Sequence, residues 1–324
     1  PQMLTAVSRY GFSHYVLGSG DASIATTAYP AVKRYLSIWN HDDRGLVVHR
    51  SGGWDWGDWG EHVDLPLIDN GWLYLALDGA IHLAELAGAH ADVAGYRARQ
   101  DRITAGVRAH LWDNEGYRSP GAKHYDDRGN ALMILTGIAT ADQHAAITSV
   151  LMNSRFASPY MEKYVLEALF SLGHDHLALQ RMHERYSTMV ADWRTTLYEF
   201  WSLDNPWSTA NHAWAGGPLT LLSQFVAGVA PLEPGFRRFA VRPQPGDLRR
   251  VAASVPAAVG EIAVRFERSD SELTLEVNVP PGATAVAELP SSCGKLSDQR
   301  HNGIPCVATV ELTAGSHRLT AHCG

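Results

Sequence analysis

Hydrophobic positions follow one repeat in the first two thirds of the chain and another in the last third. Before residue 230, apolar residues recur at spacings of three and four, as over residues 73–81, which is the repeat of an amphipathic helix. After Pro231, apolar and polar residues alternate, as over residues 262–266, which is the repeat of a strand. The pattern therefore predicts a helical domain over residues 1–230 and a β domain over residues 231–324.

The helical part has short turns alternating with long loops. The predicted helices are two over residues 2–39, two over 67–111, and one each over about 130–137, 142–152, 159–172, 175–190 and 213–227. Long polar loops cover residues 40–66 and 113–129, at the same end of successive hairpins. Stacked helical hairpins of this kind close into a toroid whose loop-bearing end forms a pocket.

The β part contains a clear hairpin signal. Residues 262–266 and 273–279 alternate on either side of a turn at Ser269–Ser271. Further strands are predicted over 283–289, 307–312 and 316–321, with Pro and Gly at the boundaries. This predicts an antiparallel β-sandwich. Because few catalytic side chains occur there, we expect the sandwich to support the helical domain.

Composition excludes several classes of partner. The formal net charge is −7, and no stripe of Lys and Arg stands out, so neither nucleic acid nor an anionic membrane is an expected partner. No apolar run reaches ~18 residues, so no transmembrane helix is predicted. The first ten residues do not form a signal peptide, and they do not begin with Met, which is typical of a processed product or a fragment. The compartment is left unassigned.

The cysteines are Cys293, Cys306 and Cys323, and none belongs to a C-x-x-C pair. This spacing does not match a zinc site, and we expect neither a metal nor a cofactor. One disulfide with a leftover thiol and three reduced thiols are both compatible with the sequence.

Residues 192–217 carry the strongest chemical signal in the chain. They place a glutamate among rings and polar side chains: Glu199 with Trp193, Trp201, Trp207, Tyr198, Arg194 and His212. A glutamate can activate water, and aromatic rings cover the apolar faces of a sugar. The stretch therefore favours a sugar site. An aromatic core at the end of a helical domain is the alternative.

The loop over residues 40–66 is a second candidate. It holds three tryptophans and four acidic residues within a short glycine-rich segment: Trp54, Trp56, Trp59, Asp55, Asp58, Glu61 and Asp64. Long ordered loops in compact domains are usually functional. We interpret the tryptophans as a stacking wall for a sugar, with a surface loop whose tryptophans fill the core as the alternative.

Several motifs together resemble glycoside hydrolase family 78, the α-L-rhamnosidases. They are Thr-Thr-Leu-Tyr-Glu at 195–199, Asn-His at 211–212, Gly-Gly-Pro-Leu at 216–219, Val-Ala-Gly-Val at 226–229 and Pro-Leu-Glu-Pro-Gly-Phe at 231–236. The segment Gly57-Asp58-Trp59 is similar to an aromatic sugar-site segment of the family. The similarity covers nearly the whole chain, and it is most specific around Glu199 and His212.

The resemblance implies an (α/α)6 toroid followed by a β-sandwich, and inverting hydrolysis of terminal α-L-rhamnosides. By resemblance, Glu199 is the general base and His212 a sugar-binding residue, while Asp58 and Trp59 belong to the cleavage subsite. Asp55, Trp56 and Trp201 complete the predicted substrate-binding set. In an inverting enzyme the two carboxyl groups stand ~6.5–9.5 Å apart, which leaves room for the attacking water.

The chain departs from the family pattern at its N-terminal end. The family's general acid lies on a segment before anything present here, and about nine helices are predicted where six hairpins need twelve. An N-terminal segment or a second copy is therefore an expected partner, unless Asp55, Asp58 or Glu61 supplies the acid. Two alternatives stay open: a non-catalytic carbohydrate-binding remnant, and a polysaccharide lyase with Tyr198 or His212 as its base.

Overall fold

The structure is a computed structural model that describes residues 2–52, 56–289, 296–298, 305–306 and 309–322. Its Cα positions group into two compact units. The helical unit comprises residues 1–14, 22–172 and 180–218, and the sheet unit comprises 15–21, 173–179 and 219–324. The predicted domain boundary at residues 230/231 stays a prediction.

The helices differ widely in length. Their bounds are α1 Gln2–Val7, α2 His14–Ser19, α3 Ser23–Ser37, α4 Leu65–Leu86, α5 Val93–His110, α6 Asp127–Leu135, α7 His144–Asn153, α8 Glu162–Ser171, α9 Asp175–Ala191 and α10 Gly217–Leu221. Within the helical unit α4 packs against α3, α5 and α6, and α6 packs against α7 and α8. The predicted helical-hairpin fold is confirmed.

Helix α4 is central to the core of the helical unit. Its buried residues lie around most of its circumference, including Trp72, Leu73, Leu77 and Leu83. A helix that is apolar on nearly all sides is one enclosed by other helices. The loop that precedes α4 is thus anchored on a helix that is buried along most of its length.

Two of the predicted continuous helices are interrupted. A π-helical turn at Arg9–Ser13 separates α1 from α2, and inside it Gly11 has φ −94° and ψ −109°. A Cβ at Gly11 would lie 1.7 Å from the carbonyl oxygen of Ala6, so only glycine fits this bend. The last predicted helix is divided into a 3₁₀ turn at Ala213–Gly216, then α10, then a π turn at Leu222–Val226.

The sheet unit holds two sheets. The strands are β1 Val229–Pro231, β2 Arg238–Val241, β3 Arg250–Ala257, β4 Gly260–Arg268, β5 Glu272–Val279, β6 Thr284–Glu288, β7 Leu296–Asp298, β8 Pro305–Cys306, β9 Thr309–Leu312 and β10 Gly315–His322. One sheet has the order β1-β2-β6-β9 and the other β3-β4-β5-β10-β7-β8. Neighbouring strands are antiparallel except for β2 and β6, which are parallel.

The predicted hairpin is β4 and β5, with Val264 opposite Val277 and Phe266 opposite Leu275. These side chains share one core with Phe239 and other residues of the smaller sheet, which makes the pair of sheets a sandwich. Strand β3 was not predicted from the sequence. It contains Pro256, and proline disfavours a central strand because it lacks a backbone N–H. It lies at the edge of its sheet, where a missing backbone donor is tolerated.

Two further sequence expectations concern the membrane and the cysteines. Within the described ranges, no helix combines the length and the apolar character that a bilayer crossing requires. The question of cysteine pairing involves Cys293 and Cys323, which lie outside those ranges, and stays a prediction.

Candidate functional site

The loop after α9 folds back on itself and brings Glu199 beside His212. The backbone N–H of Glu199 donates to the carbonyl oxygen of Thr209 at 3.0 Å, and that of His212 donates to the carbonyl oxygen of Leu197 at 2.9 Å. The hydroxyl of Thr196 adds a bond to the carbonyl oxygen of Ala210. These cross-links fix the two ends of the loop next to each other.

The carboxylate of Glu199 is held on one oxygen. Its Oε2 accepts hydrogen bonds from the hydroxyl of Thr209 at 3.1 Å and from the Thr209 backbone N–H at 3.3 Å. The Nδ1 atom of His212 lies 3.9 Å from the same oxygen. The side chains of Glu199 and His212 are 22% and 21% exposed, so the carboxylate is oriented by the protein and still reachable from solvent.

Thr209 also fixes the hydrogen-bonding state of His212. Its hydroxyl lies 3.3 Å from His212 Nδ1, and it has a single proton, which the Glu199 carboxylate accepts. With that proton on the Glu199 side, the hydroxyl accepts from Nδ1–H, and the tautomer protonated at Nδ1 has Nε2 as an acceptor. That Nε2 atom is buried and has no partner among the described residues. A buried ring nitrogen of this kind ordinarily has a hydrogen-bond partner.

Four rings, which we call the aromatic cluster, lie next to this loop: Trp56, Trp59, Tyr160 and Trp214. Trp59 is near-parallel to Trp214, at 6.4 Å between ring centroids and 15°, and to Tyr160, at 6.0 Å and 24°. Trp56 lies 4.8 Å from Trp59 and 5.6 Å from Tyr160. Trp56 is 8% exposed whereas Trp214 is 50% exposed, so the cluster runs from the interior to the surface.

The aromatic cluster contacts His212 and the backbone of Glu199. The imidazole of His212 is perpendicular to the rings of Trp59 and Trp214, at 5.5 Å and 5.9 Å between centroids. The indole Nε1 of Trp59 donates to the backbone oxygen of Glu199 at 2.8 Å. The structure therefore brings together four of the predicted site residues, namely Trp56, Trp59, Glu199 and His212.

Two other predicted residues lie in different surroundings. Trp201 packs against Arg185 and Tyr186, and its Nε1 donates to the backbone oxygen of Ala157 at 2.7 Å. Asp58 neighbours Trp59 in sequence, but its side chain has no exposed surface and accepts from Arg128 and from the backbone of Ser158, each at 2.9 Å. Asp55 lies outside the described residues.

The carboxylates predicted as candidate acids differ sharply in environment. Burial raises the pKa of Asp58, although Arg128 and Ser158 oppose the rise. A raised pKa suits an acid, but a carboxyl sealed against a guanidinium cannot reach a leaving group. The Glu61 side chain is 88% exposed and lies 3.9 Å from His62. Neither carboxylate belongs to the group around Glu199.

The residues that sequence reasoning missed are Trp214, Tyr160 and Thr209. Trp214 follows His212 by two positions in the motif Asn-His-Ala-Trp, so its place in the same stretch was the available signal. The sequence drew attention to Trp193 and Trp207 instead, and both are 82% exposed. Tyr198, one base of the lyase alternative, is only 3% exposed. No described group of three or more His, Cys, Asp and Glu side chains could hold a metal ion.

Both parts of the chain match known protein families. Residues 11–226 match the bacterial alpha-L-rhamnosidase six-hairpin glycosidase domain. Residues 228–303 match the bacterial alpha-L-rhamnosidase C-terminal domain. The first match alone covers more than half of the chain.

Individual relatives agree with the family match. An alpha-L-rhamnosidase of Streptomyces avermitilis is 22% identical over 93% of this chain and 31% of its own length. The crystal structure of an S. avermitilis alpha-L-rhamnosidase complexed with L-rhamnose has a TM-score of 0.81 at 21% identity, over 98% of this chain and 32% of that one. A family 78 rhamnosidase of Bacillus sp. GL1 has a TM-score of 0.74 at 27% identity, over 86% and 32%. The chain thus spans about a third of the length of these relatives.

Proposed function

Since the chain belongs to the bacterial alpha-L-rhamnosidase six-hairpin glycosidase family, we propose that its helical unit binds terminal α-L-rhamnose and takes part in hydrolysing the glycosidic bond. The substrate class is a rhamnose-containing glycoside or polysaccharide. The observation that carries the proposal is the hydrogen-bonded set of Glu199, Thr209 and His212 beside the aromatic cluster. It combines an oriented carboxylate, an unsatisfied acceptor and flat apolar rings, which are the groups that a sugar requires.

In this proposal Glu199 is the general base of an inverting reaction. Its carboxylate takes a proton from water while the water oxygen attacks the anomeric carbon. The bond to the aglycone oxygen breaks, and the aglycone leaves with the bonding electrons as an oxyanion that solvent protonates. Thr209 donates to the same carboxylate and keeps one oxygen turned toward His212. His212, whose side chain is 21% exposed, contacts the sugar, and the aromatic cluster covers an apolar face of the ring.

The test compares hydrolysis and binding in one preparation. Release of the aglycone from an aryl α-L-rhamnoside is measured for the chain and for Glu199→Gln, with L-rhamnose binding followed by calorimetry. We expect the variant to lose ~10²–10⁴-fold in rate while keeping its affinity for L-rhamnose. Glu184→Gln is the control, because that carboxylate pairs with Arg155 on the exposed side of α9. Equal rates for the Glu199 variant and the unmodified chain would contradict the proposal.

A second candidate function is sugar binding without turnover. It is favoured by the placement of Asp58, which is sealed against Arg128, and of Glu61, which is exposed beside His62. Neither supplies an acid to the group around Glu199. Saturable L-rhamnose binding together with no hydrolysis of any aryl rhamnoside would select this function over the first.

A further inference from the structure

The segment that carries Trp59 is fastened at three points to the start of α6. The guanidinium of Arg128 donates through Nη1 to Asp58 Oδ2 at 2.9 Å and through Nη2 to the carbonyl oxygen of Glu61 at 2.6 Å. Asp126, the N-cap of α6, accepts from the backbone N–H of Asp64 at 2.8 Å. The contacts of Arg128 therefore bracket Trp59 on both sides along the chain.

This bracket lies entirely in the interior. The side chains of Arg128, Asp58 and Asp126 have no exposed surface. Arg128 Nε also donates to Asp126 Oδ1 at 2.6 Å, so the planar guanidinium is fixed by carboxylates on two edges. Asp58 is fixed in turn by the backbone N–H of Ser158 at 2.9 Å. Although Asp58 Oδ1 has no partner among the described residues, the other contacts of these buried charges restrain the segment against α6.

Gly60 shows how closely the guanidinium approaches the backbone of the segment. A Cβ at Gly60 would lie 2.7 Å from Arg128 Nη1 and 2.0 Å from the carbonyl oxygen of Phe156. Any side chain would push the segment away from Arg128. The residue following Trp59 is therefore glycine because the segment lies directly on the carbonyl group of Phe156 and on the guanidinium.

We propose that Arg128 and Asp58 are positioning residues for the candidate site. They hold residues 58–61 so that the Trp59 indole stacks in the aromatic cluster and donates to the backbone oxygen of Glu199. The direct link from this bracket to the Glu199 loop is the hydrogen bond from Trp59. The effect on sugar binding rests on the proposed function, whereas the effect on the backbone of the two segments does not.

Arg181 offers a matched control. It is also fully buried, and it donates to Asp127 at 2.6 Å and to Glu162 at 2.5 Å. Its partners are the first residues of α6 and α8. Replacing either arginine by lysine removes a two-carboxylate clamp from the core, so both changes lower stability, but only one clamp holds residues 58–61.

The experiment measures amide hydrogen exchange over residues 57–63 and 197–200, together with L-rhamnose binding by calorimetry, for Arg128→Lys and Arg181→Lys. We expect Arg128→Lys to speed exchange in both segments by about tenfold and to weaken L-rhamnose binding by about tenfold. Arg181→Lys should lower the thermal midpoint to a similar degree. It should leave amide exchange in both segments and the affinity for L-rhamnose unchanged.

Asp58→Asn tests the same bracket where Arg128→Lys does not fold, because asparagine keeps the size of the side chain and loses its charge. Faster exchange in both segments supports the inference. Exchange that rises only in 57–63, or equally in the Arg128 and Arg181 variants, would overturn it. If the unmodified chain does not bind L-rhamnose, the proposed function fails, and the exchange of residues 197–200 still decides the positioning role.

Discussion

The indole Nε1 of Trp59 donates a 2.8 Å hydrogen bond to the backbone oxygen of Glu199, which lies 140 positions later in the chain. The bond joins the loop before α4 to the loop after α9, so each loop fixes the other. A ring that stacks on its neighbours and also holds the backbone of the proposed base has two separable roles.

Trp59→Phe separates these two roles, because phenylalanine keeps a stacking ring and loses the N–H donor. We expect kcat for an aryl rhamnoside to fall about tenfold while L-rhamnose affinity changes less than about threefold, since the carboxylate shifts more than the ring wall. Steady-state kinetics and calorimetry measure the two effects. Trp39→Phe is the control, because Trp39 is also buried and packs against Tyr35, outside the aromatic cluster. A loss of affinity without a loss of kcat would contradict this account.

Thr209→Val tests the hydroxyl that joins His212 to Glu199. Valine has nearly the same shape but cannot pass a hydrogen bond between the two side chains. The Thr209 backbone N–H still donates to Glu199, so we expect a loss of about tenfold in kcat and no loss of fold. Thr148→Val is the control, because that hydroxyl bonds only to the helix backbone at His144. Unchanged kinetics in the Thr209 variant would show that the hydroxyl has no part in the reaction.

Trp214→Ala tests the exposed end of the aromatic cluster. Trp214 is half exposed and stacked parallel to Trp59, which suits an open platform for a sugar ring. Loss of such a face costs ~0.5–1.5 kcal/mol, so L-rhamnose affinity should fall by about two- to twelvefold. Trp193→Ala removes an indole that is 82% exposed and lies beside Arg194, and it should leave affinity unchanged. Equal losses in the two variants would argue against a specific platform.

Glu167→Gln tests a buried ion pair and its pH dependence. Glu167 accepts from Tyr10 at 2.8 Å and from Lys163 at 2.9 Å. Burial by itself would raise the pKa of Glu167. The positive charges of Lys163 and then Arg9 lower that pKa by more than burial raises it, so it lies below its ordinary value. The carboxylate therefore contributes stability above its unfolded-state pKa of ~4.3, and that contribution is lost as the pH falls through its folded-state pKa.

We expect Glu167→Gln to lower the free energy of unfolding by about 3 kcal/mol at pH 7, because it leaves a buried ammonium without its partner. The difference from the unmodified chain should shrink as the pH falls below about 4. Urea titrations between pH 3 and pH 7 measure both effects. Glu184→Gln, which breaks the exposed pair with Arg155, should cost less than about 1 kcal/mol. A constant difference across this pH range would contradict the assignment.

The sequence predicts the parts of the fold whose patterns are local. Period-two alternation located β4 and β5 because each buries one face, and the three-to-four repeat located α4 and α5. The sequence analysis missed the division of residues 213–227, because this stretch has the composition of a single helix. It also began α6 three residues late, at 130 rather than 127, because the cap formed by Asp126 depends on its bond to the Arg128 backbone.

The candidate site was predictable where the chemistry lies within a short stretch. Glu199 and His212 share one motif, and Trp56 and Trp59 share one loop. Tyr160 was not predictable, because it comes from the turn before α8 and meets the tryptophans only in the folded structure. The burial of Asp58 was not predictable either, since its partner Arg128 lies 70 positions away. The acidic residues near Asp58 gave residues 55–64 the composition of a polar loop.

The most direct test of the central claim replaces the proposed base. Glu199→Ala is assayed with a dinitrophenyl α-L-rhamnoside, whose phenolate departs without protonation, in the absence and in the presence of azide. We predict that the rate falls by ~10²–10⁴-fold, and that azide restores release of dinitrophenolate by attacking the anomeric carbon and forming β-rhamnosyl azide. An unchanged rate in the variant, or an azide product of the α configuration, would contradict the assignment of Glu199 as the base of an inverting reaction.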